Sequence, residues 1–412
     1  MNSSNAGKKD KTVVVGMTGS IDSTVAAYLL TKQDYKCIGL AIVLGDIEAR
    51  DFNPDESMFG TCLVQDLEKV KNICKQMGFP FYAVNAKDIY KCNILDFIVT
   101  SRLRGENFNS CVFCNNLKFD ILLEKANILG ATRIATGHYA KIKFNRDTGE
   151  YSFHASSDLA DDQSYYLSRL TKTHFSRLML PLGDMRKKEV EKVGRTLGYD
   201  YHEVKKKTYC FADSGLVSEY VNNNSPDDLK NKGDVVVASS KDVLTEHKGV
   251  QNYYVGQNRF SLQDEIYLKN YTVVNIDPQS RKVFVEKEEN TRFSYCNLKY
   301  FNFINRLDFT KPVNAYAQWD AKGVRAACKI LFKTNNIVTL IFNSEEVGPL
   351  SAGSIVTLFN RNTATAKVIG SGIAVVSGIY SVLDRTEGML DEDSRAEVEE
   401  DRKNRNIDET KF

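Results

Sequence analysis

Apolar and polar positions change their rhythm twice along this chain. Up to about Leu197, short fully apolar runs alternate with stretches of helical spacing. Val13-Val14-Val15 puts three β-branched residues together, which predicts a strand buried on both faces. Val25, Ala26, Leu29 and Leu30 follow on one helical face. Gly39–Leu44 reads as a second strand. Leu67, Val70, Cys74 and Met77 mark a helix over Asp66–Met77, ended by Gly78 and Pro80. Phe81–Val84 is the next strand. Leu117, Ile121, Leu122, Ile128 and Leu129 mark a helix beginning near Leu117, and Arg133–Thr136 a further strand. Repeated βα units predict an α/β fold with a doubly wound parallel sheet. Such sheets hold ligands at the carboxyl ends of their strands. The loop after Val15, Ile42 and Gly137 all fall there.

Beyond about Lys207 the helical spacing fades. Val235–Ala238, Tyr253–Val255, Tyr271–Ile276 and Lys282–Val285 read as short strands, with Asp277-Pro278-Gln279-Ser280 as a turn between the last two. Ala315–Trp319, Ile337–Phe342, Ile355–Phe359 and Val368–Val376 form a third block. Two small β-barrel-type domains are expected after the parallel-sheet domain. The boundaries drawn are 1–11 for a flexible N-terminus, 12–206, 207–290, 291–384, and 385–412 for a charged, disordered tail.

Composition narrows the classes. The chain has 412 residues, 42% hydrophobic and 26% charged, as in an ordinary globular protein. A net charge of +2 gives no global basic field, so any nucleic-acid surface must be local. No apolar run is long enough for a membrane span, so no membrane partner is expected. Met1–Lys11 is polar, without the apolar core of a secretion signal. Nine cysteines, an odd number without such a signal, point to reduced thiols of which a few have a task.

Chemistry first shows in Gly16-Met17-Thr18-Gly19-Ser20-Ile21-Asp22-Ser23, between the first strand and its helix. A glycine turn entering a helix makes an anion site from backbone N–H groups and the helix dipole. No Gly-Lys-Ser/Thr follows, so this is not a Walker loop. Cys111 and Cys114 lie three apart before the helix expected from Leu117, where a helix N-terminus favours thiolate and Asn115 or Asn116 could cap. Three readings stay open for them: a nucleophilic or sulfur-carrying thiol, half of a metal site, or two buried thiols. Cys210, far along, could complete a thiol pair or a three-cysteine iron–sulfur site. Cys37, Cys62, Cys74, Cys92, Cys296 and Cys328 read as core packing. Arg186, Lys187, Lys188, Lys192, Arg195, Lys205, Lys206 and Lys207 make a basic region. On charge alone it is a solvated face.

The loop Thr18-Gly19-Ser20-Ile21-Asp22-Ser23 resembles the pyrophosphate loop of the PP-loop ATPases, Ser-Gly-Gly-x-Asp-Ser. Ser20 replaces the second glycine. Were φ > 0 required there, its Cβ would cost about 1 kcal/mol. A set of further segments resembles the tRNA-specific 2-thiouridylases, the MnmA family, in family order. They are Val15–Ser23, Cys114-Asn115 with Lys118-Phe119, Ala135-Thr136-Gly137-His138-Tyr139-Ala140, Asp162-Gln163-Ser164-Tyr165-Tyr166-Leu167, Leu180-Pro181-Leu182-Gly183-Asp184-Met185, Cys210-Phe211 and Tyr253-Tyr254-Val255-Gly256-Gln257. Departures are Asn109-Ser110-Cys111 where the family has Asn-Pro-Asp, Asp161 where it has Lys, and Leu331-Phe332-Lys333 where it has Arg-Tyr-Arg.

The resemblance implies a PP-loop domain and an ATP-dependent tRNA-uridine 2-sulfurtransferase. ATP with Mg²⁺ would use Gly16, Met17, Thr18, Gly19, Ser20, Ile21, Asp22 and Ser23, with Ile42 and Gly137 on the adenine side. Cys114 takes the nucleophile position and Cys210 the persulfide, loaded by a sulfur-donor protein. The two form a transient disulfide. Asn109, Ser110, Cys111, Asp161, Asp162 and Gln163 fall at tRNA positions. The Cys-x-x-Cys raises an iron–sulfur alternative on Cys111, Cys114 and Cys210. A mitochondrion or plastid is expected if the chain is eukaryotic, the cytoplasm if bacterial. Two other readings compete: another PP-loop adenylating ligase, and a non-catalytic tRNA-binding or sulfur-carrier protein with a decayed loop, for which Ser20 speaks.

Overall fold

The computed structural model describes residues 11–44, 67–199, 216–258, 268–291, 293, 295–304, 311–321, 323–332, 337–342 and 350–375. Cys62, Lys205–Lys207, Cys210 and the charged tail lie outside the described residues. The chain divides into two compact units, one of residues 1–97, 110–217 and 359–370, the other of 98–109, 218–358 and 371–412.

In the first unit the strands are β1 (Thr12–Gly16), β2 (Lys36–Val43), β3 (Phe81–Asn85), β4 (Arg133–Ala135), β5 (Lys141–Asn145), β6 (Glu150–His154) and β7 (Leu178–Met179). The helices are α1 (Ile21–Thr31), α2 (Leu67–Gln76), α3 (Lys87–Tyr90), α4 (Asp96–Leu103, which runs on into the second unit), α5 (Ser110–Ile128), α6 (Lys172–Arg177) and α7 (Lys187–Leu197). The main sheet has the order β3-β2-β1-β4-β7, with each pair parallel. Val13, Val14 and Val15 are fully buried, as three adjacent β-branched residues in a central strand should be. The chain builds outward from β1 to β3 on one side, then returns to place β4 and β7 on the other. The order therefore reverses at β1 and β4, and a crevice opens beyond their carboxyl ends.

Helix α1 is packed from two sides, so its apolar positions do not form one simple stripe. Ala27 and Leu30 join Val13, Val15 and, from α2, Val70, Ile73 and Cys74. Val25 and Ala26 pack with Val190 of α7, Leu182 and Tyr139. Cys37, Cys74, Cys296 and Cys328 are core residues, and burial pushes each thiol up to about 12. Cys92 is exposed, which overturns its reading as core: it sits in a π-helical turn, Lys91–Leu95, whose Cys-Asn pair faces water.

The second unit holds a four-stranded sheet, β8 (Gly233–Val237), β9 (Val243–His247), β10 (Tyr271–Asp277) and β11 (Lys282–Lys287), in the order β10-β11-β8-β9. The expected turn is present: the Asp277 carboxylate accepts from Gln279 N at 3.0 Å and Ser280 Oγ at 2.5 Å. Tyr253–Val255 is not a strand. It leaves a 3₁₀ turn over Val250–Asn252, and its amides bond to Val250 and Gly105 carbonyls rather than to a ladder. A closed six-stranded barrel, β12-β15-β14-β13-β16-β17, follows. Its strands are β12 (Tyr295–Phe303), β13 (Val313–Gln318), β14 (Ala326–Phe332), β15 (Val338–Phe342), β16 (Ile355–Phe359) and β17 (Val368–Val375). Sequence pattern misses β12 because Asn297 and Lys299 interrupt the apolar run. In the barrel Asn297 is buried and accepts at 2.7 Å from Thr339, its partner across the ladder.

Candidate nucleotide-binding site

The loop between β1 and α1 is held by its own hydroxyls. Gly19 takes φ 81, a left-handed conformation that L side chains rarely adopt. Ser20 does not: at φ −75 and ψ 159 it is extended and serves as the N-cap of α1. Its Oγ accepts from Ser23 N at 3.4 Å and lies 2.9 Å from Thr18 Oγ1. Ser23 Oγ in turn accepts from Thr18 N at 3.2 Å. The expected cost of a Cβ at position 20 is therefore absent. The residue that needs glycine is the preceding one, and it is glycine.

Gly137, just past β4, closes against this loop. A Cβ there would lie 2.6 Å from the Asp22 carbonyl carbon and 2.8 Å from Ser23 N. Only hydrogen fits between the two backbones. Asp22 points the other way. Its carboxylate accepts from Tyr139 Oη at 2.7 Å and from Lys187 Nζ at 2.6 and 2.5 Å. Burial, and then the Asp22 charge, hold the Tyr139 phenol far above its ordinary range, so it stays a donor. Lys187 is thus not part of a uniformly solvated basic face. It turns inward from the start of α7, whereas Lys188 beside it is exposed.

Helix α5 supplies the opposite wall. It begins at Ser110, not near Leu117, so Cys111 lies in its first turn and Cys114 and Asn115 lie inside it. Periodicity hid this start because Val112, Cys114, Asn115, Leu117 and Phe119 are all buried, on more than one face of the helix. Asn115 caps nothing: its Nδ2 donates to the Cys111 carbonyl one turn back, at 2.9 Å. Cys114 is buried and Cys111 half-buried. Among the described residues, no cluster of three or more His, Cys, Asp or Glu could hold a metal ion.

These walls enclose a cleft of about 130 Å³, lined by Gly16, Met17, Thr18, Ser20, Asp22 and Ser23, by Leu40 and Ile42, by Asn115, Lys118, Phe119 and Leu122, and by Thr136, Gly137, His138 and Gln163. The N-terminus of α1 offers its amides to an anion, and Lys118 adds a positive charge to the lining. Leu40, Ile42, Phe119 and Leu122 offer apolar surface to a flat ring. Burial, and then the charge of Lys118, lower His138 to about 4, so it is neutral at ordinary pH. Its Nδ1 pairs with Thr136 Oγ1 at 2.9 Å.

Of the expected tRNA positions, Gln163 reaches the cleft, and its Oε1 accepts from Tyr139 N at 2.9 Å. Asp162 is engaged locally, by Ser156 N at 2.9 Å and Ser164 Oγ at 2.7 Å. Asp161 closes a 3₁₀ turn, with its carboxyl raised by burial and then by Asp158. Ser110 is buried at the start of α5, and Asn109 precedes it. Gly19 and Ile21 complete the loop. Sequence reasoning missed the roles of Lys187 and Asn115. Lys187 meets a carboxylate 165 positions away, and no local pattern announces such a pair.

Comparison with known proteins bears on this site. A family model described as the tRNA methyl transferase HUP domain matches residues 11–213, and one described as the tRNA methyl transferase PRC-barrel domain matches residues 219–287. The chain is similar to the tRNA-specific 2-thiouridylase MnmA of Clostridium acetobutylicum, 33% identical over 331 residues, covering 77% of this chain and 88% of that protein. It is 31% identical over 371 residues to the tRNA-specific 2-thiouridylase MnmA of Clostridium botulinum, covering 88% and 97%. Among solved structures, the U34-tRNA thiolase NcsA from Methanococcus maripaludis with its 4Fe-4S cluster matches at a TM-score of 0.32 and 19% identity, over 53% of this chain and 65% of that one.

Proposed function

The chain belongs to the MnmA family of tRNA-specific 2-thiouridylases, and on that footing we propose that it is an ATP-dependent tRNA-uridine 2-sulfurtransferase. The observation that carries the proposal is a cleft lined both by an intact, capped β1–α1 loop and by α5 from Asn115, the residue that follows Cys114. ATP is assigned to the loop Gly16–Ser23 with Lys118 beside its phosphates, and the adenine to the side of Ile42 and Gly137. Mg²⁺ travels with the phosphates of ATP, since the Asp22 carboxylate is already paired with Lys187.

The uridine C2 oxygen attacks the α-phosphorus and pyrophosphate leaves, turning a poor leaving group into an AMP ester. The terminal sulfur of a persulfide on Cys210 attacks C2, and AMP leaves. Cys114 thiolate then attacks the Cys210 sulfur, forming a Cys114–Cys210 disulfide and freeing the 2-thiouridine sulfur. An external thiol reductant resets the pair. Asn109, Ser110, Cys111, Asp161, Asp162 and Gln163 are assigned to the tRNA, whose wobble base must be flipped out to enter. The donor is a persulfide-carrying protein. The decayed-loop alternative loses its one support, because Ser20 leaves the loop unstrained.

Cys111 and Cys114, one turn apart on α5, favour a second reading in which they and Cys210 ligate an iron–sulfur cluster. The deciding test incubates protein, ATP·Mg²⁺, a persulfide source and a U34 tRNA, in aerobic and anaerobic halves, with nucleosides read by mass spectrometry. Formation of 2-thiouridine, lost in Cys114→Ser and Cys210→Ser, is expected. Product only in the anaerobic half, with bound iron, selects the cluster. No product in either half refutes the sulfurtransferase.

A further inference from the structure

Asn115 is 6% exposed and lines the cleft, yet its side-chain oxygen is buried with no hydrogen-bond partner among the described residues. The orientation of the amide is fixed by chemistry. Nδ2 donates to the Cys111 carbonyl, and a flipped amide would bring two acceptor oxygens together. A carbonyl dipole without a donor thus stands at the wall of the site. Buried acceptors of this kind find partners in nearly all folded proteins, and in a ligand cleft an N–H of the ligand would satisfy this one.

Two heterocycles in the proposed reaction carry such a group, adenine at its exocyclic amine and uracil at N3. Placement favours uracil. Among the residues lining the cleft, Asn115 is the nearest along the chain to Cys114 and is bonded to the Cys111 carbonyl, on the side of the proposed sulfur chemistry at C2, and N3 is the ring atom bonded to C2. We propose that Asn115 is a specificity-determining residue that accepts the imino N3–H of the target uracil and selects it against cytosine. The proposal rests on the sulfurtransferase reading. Cytosine has a lone pair at N3, which would face the Asn115 oxygen as a second acceptor. A site built to hold an N–H rejects the base that lacks it more strongly than an apolar site could.

The test measures binding, not turnover, with a non-hydrolysable ATP analogue present. Anticodon stem-loops carrying U34 or C34 are titrated against wild type and Asn115→Leu, which keeps volume and removes the acceptor. Wild type is expected to prefer U34 by about tenfold or more. Asn115→Leu should lose about tenfold for U34, keep C34 and the ATP analogue within about twofold, and so erase the preference. A preference that survives in Asn115→Leu overturns the proposal. So does a tenfold loss of ATP-analogue affinity with the preference intact, which would place adenine at this oxygen. Should the variant fail to fold, wild type with ¹⁵N3-labelled U34 decides. A U34 imino proton protected from exchange in the complex supports the contact, and one exchanging as fast as in the free stem-loop overturns it. If wild type binds U34 selectively but makes no 2-thiouridine, the sulfurtransferase reading fails while base recognition stands.

Discussion

Gly137→Ala adds one methyl group where the end of β4 meets the first turn of α1. The new carbon would sit 2.6 Å from the Asp22 carbonyl carbon, 2.7 Å from its oxygen and 2.8 Å from Ser23 N. All three are backbone atoms, so no rotamer change relieves them. Ordinary carbon contacts lie near 3.5–4.0 Å, so the two segments must part by roughly 1 Å. Forced insertion of a methylene into packed structure costs about 1–3 kcal/mol. If the strain is released by moving the loop, it falls on the atoms assigned to the phosphates. At about 1.4 kcal/mol per decade, ATP affinity then drops roughly 5- to 150-fold. The assay is calorimetric titration with a non-hydrolysable ATP analogue, beside a thermal melt. Weaker binding with a melting temperature lowered by no more than a few degrees is expected, since the strain is local. Binding within twofold of wild type and an unchanged melt would refute the close approach and the assignment of Gly137 to the nucleotide site.

Ser20→Gly, which restores the family's second glycine, should bring no gain in ATP affinity, and Ser20→Ala should destabilise by about 1 kcal/mol through the lost N-cap, read by denaturant titration. Lys187→Met leaves the Asp22 carboxylate without its cation and should cost about 1–2 kcal/mol and weaken ATP binding, whereas Lys188→Met at the exposed neighbour should change stability by less than about 0.5 kcal/mol. His138 titrates near 4 in the folded protein and near 6.5 when unfolded, so the unfolded chain binds the extra proton between these values. The stability this contributes is complete above about pH 6.5 and is lost as pH falls toward 4. Melts of His138→Gln over that window should therefore show a shallower decline than wild type, and equal slopes would contradict the lowered His138 pKa.

Much of the parallel sheet was legible because a buried central strand must be apolar on both faces. Val13–Val15 and Gly39–Leu44 carry that requirement openly. The start of α5 was not, since a helix buried on several sides has no single stripe to read. Strand β12 was hidden by Asn297, a polar residue whose partner Thr339 lies on another strand. The Tyr253–Val255 run looked like a strand by composition alone, and composition does not say whether a ladder partner exists.

By itself the sequence determined the repeating βα order, the position of the loop after β1, and the residue types that loop offers. Those follow from neighbours within a few positions, where spacing and propensity act directly. Only the tertiary structure decided which loop residue needs glycine, that Lys187 neutralises Asp22, and that Asn115 leaves an acceptor at the cleft. Lys187 and Asp22 are 165 positions apart, and the Gly19 angle and the burial of Asn115 are fixed only when the loop and α5 are packed in place. The free energy of such contacts depends on what is packed opposite, which no single stretch of sequence contains.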